Sequence, residues 1–134
     1  NYNKEDSQKV AMELTNGEGF DVVFDSVGQT TMAGSFGCLK KHGTLISFGQ
    51  SSGAYTDLKI GDLQAGSFFL SRPTLFHFTP IPGWLDNATA ILFKMIKENK
   101  IDIQYNNTYD LENLGQAHDE IENRRTTGSV ILKV

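Results

Sequence analysis

Three short apolar segments decide the fold of this sequence: FDVVFD (20–25), TLISF (44–48) and SFFLS (67–71). Each is rich in Val, Ile, Leu or Phe and leads into a turn that contains Gly or Pro, which is typical of a short buried strand. The spacing leaves room for a helix over residues 30–41 and a shorter helical piece near 58–64. Strands that alternate with helices in this way predict parallel pairing and an α/β fold.

Further elements are predicted on both sides of this region. A helix is expected over residues 6–15, with Asp6 or Ser7 as its N-cap. All three prolines fall within residues 73–82, so we predict a boundary in that stretch. The elements predicted after it are a helix over 84–98, a strand over 101–109, a helix over 111–123 and a strand over 128–134.

Composition excludes several classes of protein. The 134 residues are enough for one domain, and no apolar run is long enough to span a membrane. A net charge of −4 argues against binding nucleic acid. The single cysteine, Cys38, excludes an internal disulfide and a cysteine-rich zinc site, and it favours a cytoplasmic location. The chain opens at Asn1 without a signal peptide, so we expect a fragment of a longer protein.

Polar turns follow each of the three central strands. They contain Ser26-Val27-Gly28, residues 49–53 (GQSSG) and residues 71–74 (SRPT). In open parallel sheets, ligands bind in the crevice beyond the carboxyl ends of the strands. Ordinary turns have the same composition, and composition alone favours that simpler interpretation. The sequence also lacks the G-x-G-x-x-G turn that cradles a pyrophosphate.

Four motifs occur in a characteristic order: FDSVG (24–28), ISFGQSSG (46–53), FLSRPTLFH (69–77) and RRTTGS (124–129). With this spacing the chain resembles, over residues 1–134, the C-terminal part of the NADPH-dependent quinone oxidoreductases. These form the zinc-independent, zeta-crystallin-like branch of the medium-chain dehydrogenase/reductase superfamily. The resemblance implies that residues 1–72 are a partial Rossmann half and that residues 73–134 belong with a catalytic barrel. We expect both parts to form one compact unit.

The resemblance also implies a set of residues that contact NADPH, with no catalytic or metal-binding residue among them. They are Tyr2 (adenosine 2′-phosphate), Ser26 (adenosine half), Gln50, Ser51, Ser52 and Gly53 (nicotinamide ribose), Arg72, Pro73 and Thr74 (nicotinamide), and Arg124 (phosphates). Family members often have Asn where Gln50 stands. Without the resemblance, Arg124 is interpreted as a solvated cation at a helix end.

Three hypotheses about function remain open at this point. The resemblance implies hydride transfer from NADPH to a quinone or similar electrophile, with this chain supplying one wall of the groove and inactive when isolated. Alternatively, the chain is a non-catalytic module that acts by self-association. A methyltransferase-like α/β domain is a third hypothesis, although its glycine-rich loop is absent. The resemblance further implies a homodimer through the edge strand at residues 66–71.

The remaining candidate groups receive structural interpretations. Cys38 is expected to be a small packed side chain, and His77 a packing or surface residue. The helix over 111–123 is expected to turn Leu111, Leu114, Ala117, His118 and Ile121 inward.

Overall fold

A computed structural model describes residues 4–134, so the predicted role of Tyr2 lies outside the described residues. The chain divides into two compact units between Pro80 and Ile81. This division lies within the proline-containing stretch where the sequence predicts a boundary. The assignment of residues 1–72 and 73–134 to two parts of a larger enzyme stays a prediction. A 3-10 turn at Leu75–His77 follows the third strand after three residues and still belongs to the first unit.

The first unit is a three-stranded parallel sheet with helices between its strands. Its elements are α1 (Ser7–Leu14), β1 (Phe20–Asp25), α2 (Met32–Gly37), β2 (Leu39–Ser47), a 3-10 helix (Ile60–Ala65) and β3 (Phe69–Ser71). The strand order is β1-β2-β3, and both pairings are parallel. Asp6 caps α1 by accepting hydrogen bonds from the Gln8 and Lys9 amides. The predicted parallel α/β architecture is confirmed.

The core of this unit lies between the sheet and α2. Leu45, at the centre of β2, is fully buried and packs with Met32 and Leu39. Burial of such side chains is the main favourable contribution to folding. Because strands β1, β2 and β3 are in register at Phe24, Ile46 and Ser71, their carboxyl ends lie side by side.

The predicted helix over residues 30–41 is wrong at its C-terminal end. Helix α2 stops at Gly37, and β2 begins at Leu39. Two glycines, Gly34 and Gly37, weaken the helix, while the Cys38 carbonyl accepts a 2.8 Å hydrogen bond from the Phe20 amide. Pairing with β1 therefore outcompetes continuation of the helix.

The second unit contains α3 (Trp84–Lys97), β4 (Asn107–Asp110), α4 (Leu114–Glu122) and β5 (Val130–Lys133). Strands β4 and β5 pair in parallel. The strand predicted over 101–109 is shorter than expected, because β4 begins only at Asn107. In α4, Ala117 is buried, whereas Leu114, His118 and Ile121 are exposed, contrary to the predicted inward face. Leu111, also predicted to face inward, lies in the 3-10 helix before α4 and is exposed as well. A two-stranded sheet has too little surface to cover that face. Within residues 4–134, no helix has the length and hydropathy required to cross a bilayer.

Candidate binding groove at the carboxyl ends of the strands

The turn after β1 is built around a buried carboxylate. Asp25 is only 3% exposed, and its Oδ1 accepts hydrogen bonds from the Val27 amide (2.8 Å) and the Gly28 amide (2.9 Å). An Asp side chain that bonds its own backbone two and three residues later stabilises a tight turn. The chain therefore reverses directly after the strand and leaves Ser26 exposed at the tip.

The same carboxylate also holds α2. The Thr31 hydroxyl donates to both carboxylate oxygens (3.0 and 2.8 Å), and the Ser35 hydroxyl donates to Oδ2 at 2.6 Å. Hydrogen bonds to a charged acceptor are short and about twice as strong as neutral ones. Asp25 thus connects the end of β1 with two successive turns of α2.

The pKa of Asp25 is set by two opposing effects. Burial disfavours the charged form and raises the pKa, but the hydrogen bonds from Ser35, Gly28, Thr31 and Val27 together outweigh burial. The result is a pKa below the ordinary value of an aspartate. The carboxylate is consequently charged at neutral pH.

This shift predicts how stability depends on pH. A folded-state pKa below the unfolded value gives stabilisation that is present above about pH 4 and is lost as pH falls through the folded pKa. The free energy of unfolding of the wild type should therefore exceed that of Asp25→Asn at pH 7, and the difference should shrink at pH 3. Urea unfolding at both pH values measures it.

The exposed loop variant Asp57→Asn controls for the loss of one carboxylate. We expect its difference from the wild type to change little between the two pH values. A difference for Asp25→Asn that stays constant with pH would contradict the account of its pKa.

The turn after β2 is held by the turn after β1. The Ser51 amide donates to the Ser26 carbonyl at 3.3 Å, and the Ser52 amide donates to the Val27 carbonyl at 2.8 Å. The Phe48 amide donates to the Asp25 carbonyl at 2.9 Å. Two predicted site residues are thus fixed by a neighbouring turn, not by their own strand.

The Ser52 hydroxyl has a defined orientation. It donates to the Val27 carbonyl at 2.8 Å and accepts from the Thr30 amide at 3.1 Å. A carbonyl only accepts and an amide N–H only donates, and a serine hydroxyl has a single proton. Its proton is therefore committed to Val27, and one lone pair is left for a ligand. Ser52 is suited to accept from a hydroxyl or an amine and unsuited to donate to a phosphate.

Glycines allow the first two turns to approach closely. Gly28 has a φ of +91°, and a Cβ built there would lie 2.5 Å from the Gly53 carbonyl oxygen. A Cβ built on Gly49 would lie 2.3 Å from the Ser26 carbonyl oxygen. Any side chain at these positions would force the turns apart. The glycines therefore serve the packing of backbone against backbone.

The third turn joins the same edge through Arg72. Its Nη1 donates to the Ser47 carbonyl, at the end of β2, at 2.9 Å. Gly28, Gln50 and Arg72 line one cavity of about 200 Å³. All three predicted turns therefore meet at one edge of the sheet, which confirms the juxtaposition expected from the sequence. We call this edge, with its exposed residues, the groove.

The predicted site residues are distributed unevenly. The groove brings together Ser26, Gln50, Ser51, Ser52, Gly53 and Arg72. Pro73 and Thr74 follow directly in the chain and are half-buried. Arg124 belongs to the second unit, where it is exposed and has a φ of +56°.

Sequence reasoning missed the residues that hold the groove together, which are Asp25, Thr30, Thr31 and Ser35. A usable signal was present: an aspartate ends the strand, glycine follows three positions later, and hydroxyl side chains follow at the sixth and tenth positions. The first pair is typical of a side-chain-stabilised turn, and the second lies on one face of the following helix.

Among the described residues of this unit, Cys38 is the other buried titratable group. Cys38 is buried, its Sγ lies 3.7 Å from the Ser7 carbonyl oxygen, and burial raises the pKa of its thiol. This agrees with the predicted packing role. Over residues 4–134, no group of three or more His, Cys, Asp or Glu side chains is arranged to hold a metal ion.

Fold and groove together define the class of this protein: an α/β protein with a candidate ligand groove beyond the carboxyl ends of a parallel sheet. A family model described as "Zinc-binding dehydrogenase" matches residues 1–132. The chain therefore belongs to the zinc-binding dehydrogenase family. The zinc-independence implied by the resemblance stays a prediction.

Relatives and solved structures agree with this assignment. The quinone oxidoreductase of Pseudomonas aeruginosa is 39% identical over 132 residues, which are 98% of this chain and 41% of that protein. Quinone oxidoreductase 1 of Escherichia coli is 38% identical over 135 residues, with the same coverage. The crystal structure of E. coli quinone oxidoreductase complexed with NADPH superposes with a TM-score of 0.92 at 36% identity, covering all of this chain and 42% of that one. The chain thus spans about two fifths of the length of these relatives.

Proposed function

We propose that this chain forms one wall of the NADPH groove in an NADPH-dependent quinone oxidoreductase. The main support is the meeting of three strand-end turns at one edge of a parallel sheet, because such edges bind nucleotides in open α/β folds. Relatives at 38–39% identity named quinone oxidoreductases add to it. When bound, NADPH supplies a hydride, and the protein binds and orients it.

The chemistry of the groove fits a dinucleotide. Ser52 offers a lone pair, which suits a ribose hydroxyl of the nicotinamide half and not a phosphate. Arg72 has one N–H committed to Ser47, and a guanidinium carries five, so further donors remain for an acceptor on the ligand. Exposed Ser26 and Gln50 offer both donors and acceptors along the same edge. We assign Tyr2, Pro73, Thr74 and Arg124 to the same cofactor on the strength of the motif resemblance.

A hybrid enzyme tests this proposal. The matching C-terminal part of E. coli quinone oxidoreductase 1 is replaced by this chain, and NADPH oxidation is followed with a quinone as acceptor. We expect NADPH-dependent turnover. In the same hybrid, Arg72→Ala should raise the KM for NADPH about tenfold or more, since hydrogen bonds to charged groups contribute about 1.5–3 kcal/mol each.

Lys41→Ala is the matched control for that variant. Lys41 is an exposed cation near the amino end of β2, away from the carboxyl end that forms the groove. We expect the KM for NADPH to be unchanged in Lys41→Ala. A folded hybrid without turnover, or equal effects of the two variants, would count against the proposed function.

The exposed edge of the sheet supports self-association through residues 66–71. Strand β3 pairs only with β2 among the described residues, and Phe69 is 60% exposed on it. An apolar, unpaired edge strand is a ready template for pairing with another chain. We propose a homodimer formed through this edge, which the non-catalytic alternative would also use.

Substitution of the edge phenylalanine tests the dimer. Phe69→Lys places a charge on the edge, and we expect the mass measured by light scattering to fall to that of a monomer. Phe76→Lys is the control, because Phe76 is 80% exposed but lies outside β3, and it should leave the mass unchanged. An unaltered oligomer in Phe69→Lys would exclude this edge as the interface.

A further inference from the structure

We propose that Asp25 is a positioning residue that shapes the groove by holding the turns after β1 and β2 in place. This inference rests on the proposed function for its biological meaning, since the groove it shapes is the one assigned to NADPH. Asp25 itself lies beneath the groove surface and is 3% exposed. Its action is therefore transmitted through the turns that it holds.

The carboxylate is a buried charge whose hydrogen bonds all come from groups of the groove framework. Two come from backbone amides of the turn, at Val27 and Gly28, and the others come from the hydroxyls of Thr31 and Ser35. No Lys or Arg forms an ion pair with Asp25 in the described part of the chain. A buried charge is costly unless it is fully hydrogen-bonded. The surrounding donors are therefore locked into the geometry that satisfies it.

The turn after β1, which Asp25 stabilises, also holds the turn after β2 in place. The Val27 amide donates to Asp25, and the Val27 carbonyl accepts from both the amide and the hydroxyl of Ser52. The same hydroxyl accepts from Thr30, and the Gln29 amide donates to Gly53 at 3.0 Å. A displacement of Val27 therefore reaches Ser52 without any direct contact between Asp25 and Ser52.

This arrangement separates positioning from general stability. If Asp25 only stabilised the fold, its loss would lower protection from hydrogen exchange across the first unit. If Asp25 positions the turns, its loss also opens them locally, and the turn amides then lose more protection than the buried strand amides. The amides of Ser52 and Leu45 distinguish positioning from general stabilisation. Ser52 belongs to the turn that is hydrogen-bonded to the Asp25 turn, whereas Leu45 lies at the centre of the core.

Amide hydrogen exchange by NMR on the whole 134-residue chain provides the test. In Asp25→Ala we expect the protection factors of the Gly28 and Ser52 amides to fall at least tenfold further than that of Leu45, whose protection follows the free energy of unfolding of the whole unit. Asp25→Asn keeps one acceptor oxygen for the turn amides and should restore much of the protection at Gly28. Asp21→Asn is the control, because Asp21 is an exposed residue of the same strand that pairs with Lys40.

The outcomes divide clearly. Equal losses at Ser52 and Leu45, or an unchanged Ser52, would overturn the positioning role. If Asp25→Ala does not fold, the protection of Ser52 and Leu45 is compared in Ser35→Ala. This variant removes only the 2.6 Å hydrogen bond from the Ser35 hydroxyl to Asp25. In the hybrid enzyme, Asp25→Asn should raise the KM for NADPH and leave kcat within about twofold. The exchange experiment uses no cofactor, so its failure is distinguishable from a failure of the proposed function.

Discussion

Gly28→Ala is expected to destabilise the first unit by about 3 kcal/mol or more and to separate the two turns that form the groove. Two penalties add at this position. A non-glycine residue at a φ of +91° carries strain of about 1–2 kcal/mol, and the new Cβ would lie 2.5 Å from the Gly53 carbonyl oxygen. Backbone cannot move away as a flexible side chain can, so the turn after β2 must shift. Urea unfolding measures the loss of stability.

Variants at two other glycines distinguish the cost of backbone strain from the cost of the contact between the turns. Gly17 also has a positive φ, of +86°, but a Cβ there meets nothing within 4 Å, so Gly17→Ala should cost only the backbone strain. Gly34 lies inside α2 with open space around it, and Gly34→Ala should be neutral or stabilising by about 0.5–1 kcal/mol. The expected order of stability is Gly34→Ala, then Gly17→Ala, then Gly28→Ala. Equal stability of Gly17→Ala and Gly28→Ala would show that contact between the turns contributes nothing.

The parts of the fold that were predictable are those governed by local pattern. The apolar residues of FDVVFD (20–25) and the turn signals after each strand placed the strand ends correctly to within one residue. Parallel pairing followed from the alternation with helices. Because strand ends determine where the groove lies, the groove could be located before any coordinates were known.

The errors arise where tertiary contacts override local preference. Residues 38–41 have an acceptable helical pattern, yet Leu39 pairs with Phe20 in the sheet. In the second unit, the helical periodicity around Ala117 was detected, but most of the apolar face is exposed. Periodicity indicates which side chains share a face, and only the neighbouring elements decide whether that face is covered.

The sequence predicted the residues that line the candidate site but not the buried residues that hold them in place. The motif resemblance assigns roles to Ser51 and Ser52, whereas Asp25 belongs to a predicted strand and to the FDSVG motif without any role being assigned to it. Its importance depends on distances to Thr31 and Ser35 across a helix, and sequence spacing suggests but does not establish them. The orientation of the Ser52 proton likewise requires knowing both of its partners.

The 134-residue chain alone is expected to bind NADPH more weakly than about 1 mM. The sequence has no G-x-G-x-x-G turn, and such a turn supplies several backbone donors to the pyrophosphate. Hydrogen bonds to charged oxygens contribute about 1.5–3 kcal/mol each. Loss of two or three of them amounts to about 3–9 kcal/mol, and about 4.1 kcal/mol separates micromolar from millimolar affinity.

Calorimetric titration of the chain and of the hybrid enzyme with NADPH measures this difference directly. We expect no detectable heat of binding for the chain at ordinary concentrations and micromolar binding for the hybrid, which adds the N-terminal part of E. coli quinone oxidoreductase 1. Because the groove residues Ser26, Gln50 and Arg72 are the same in both proteins, the difference in affinity measures what the added N-terminal part contributes to binding. Sub-millimolar affinity of the chain alone would mean that the wall formed by its three turns is sufficient for binding, and that the pyrophosphate donors contribute far less than their charge-assisted hydrogen bonds imply.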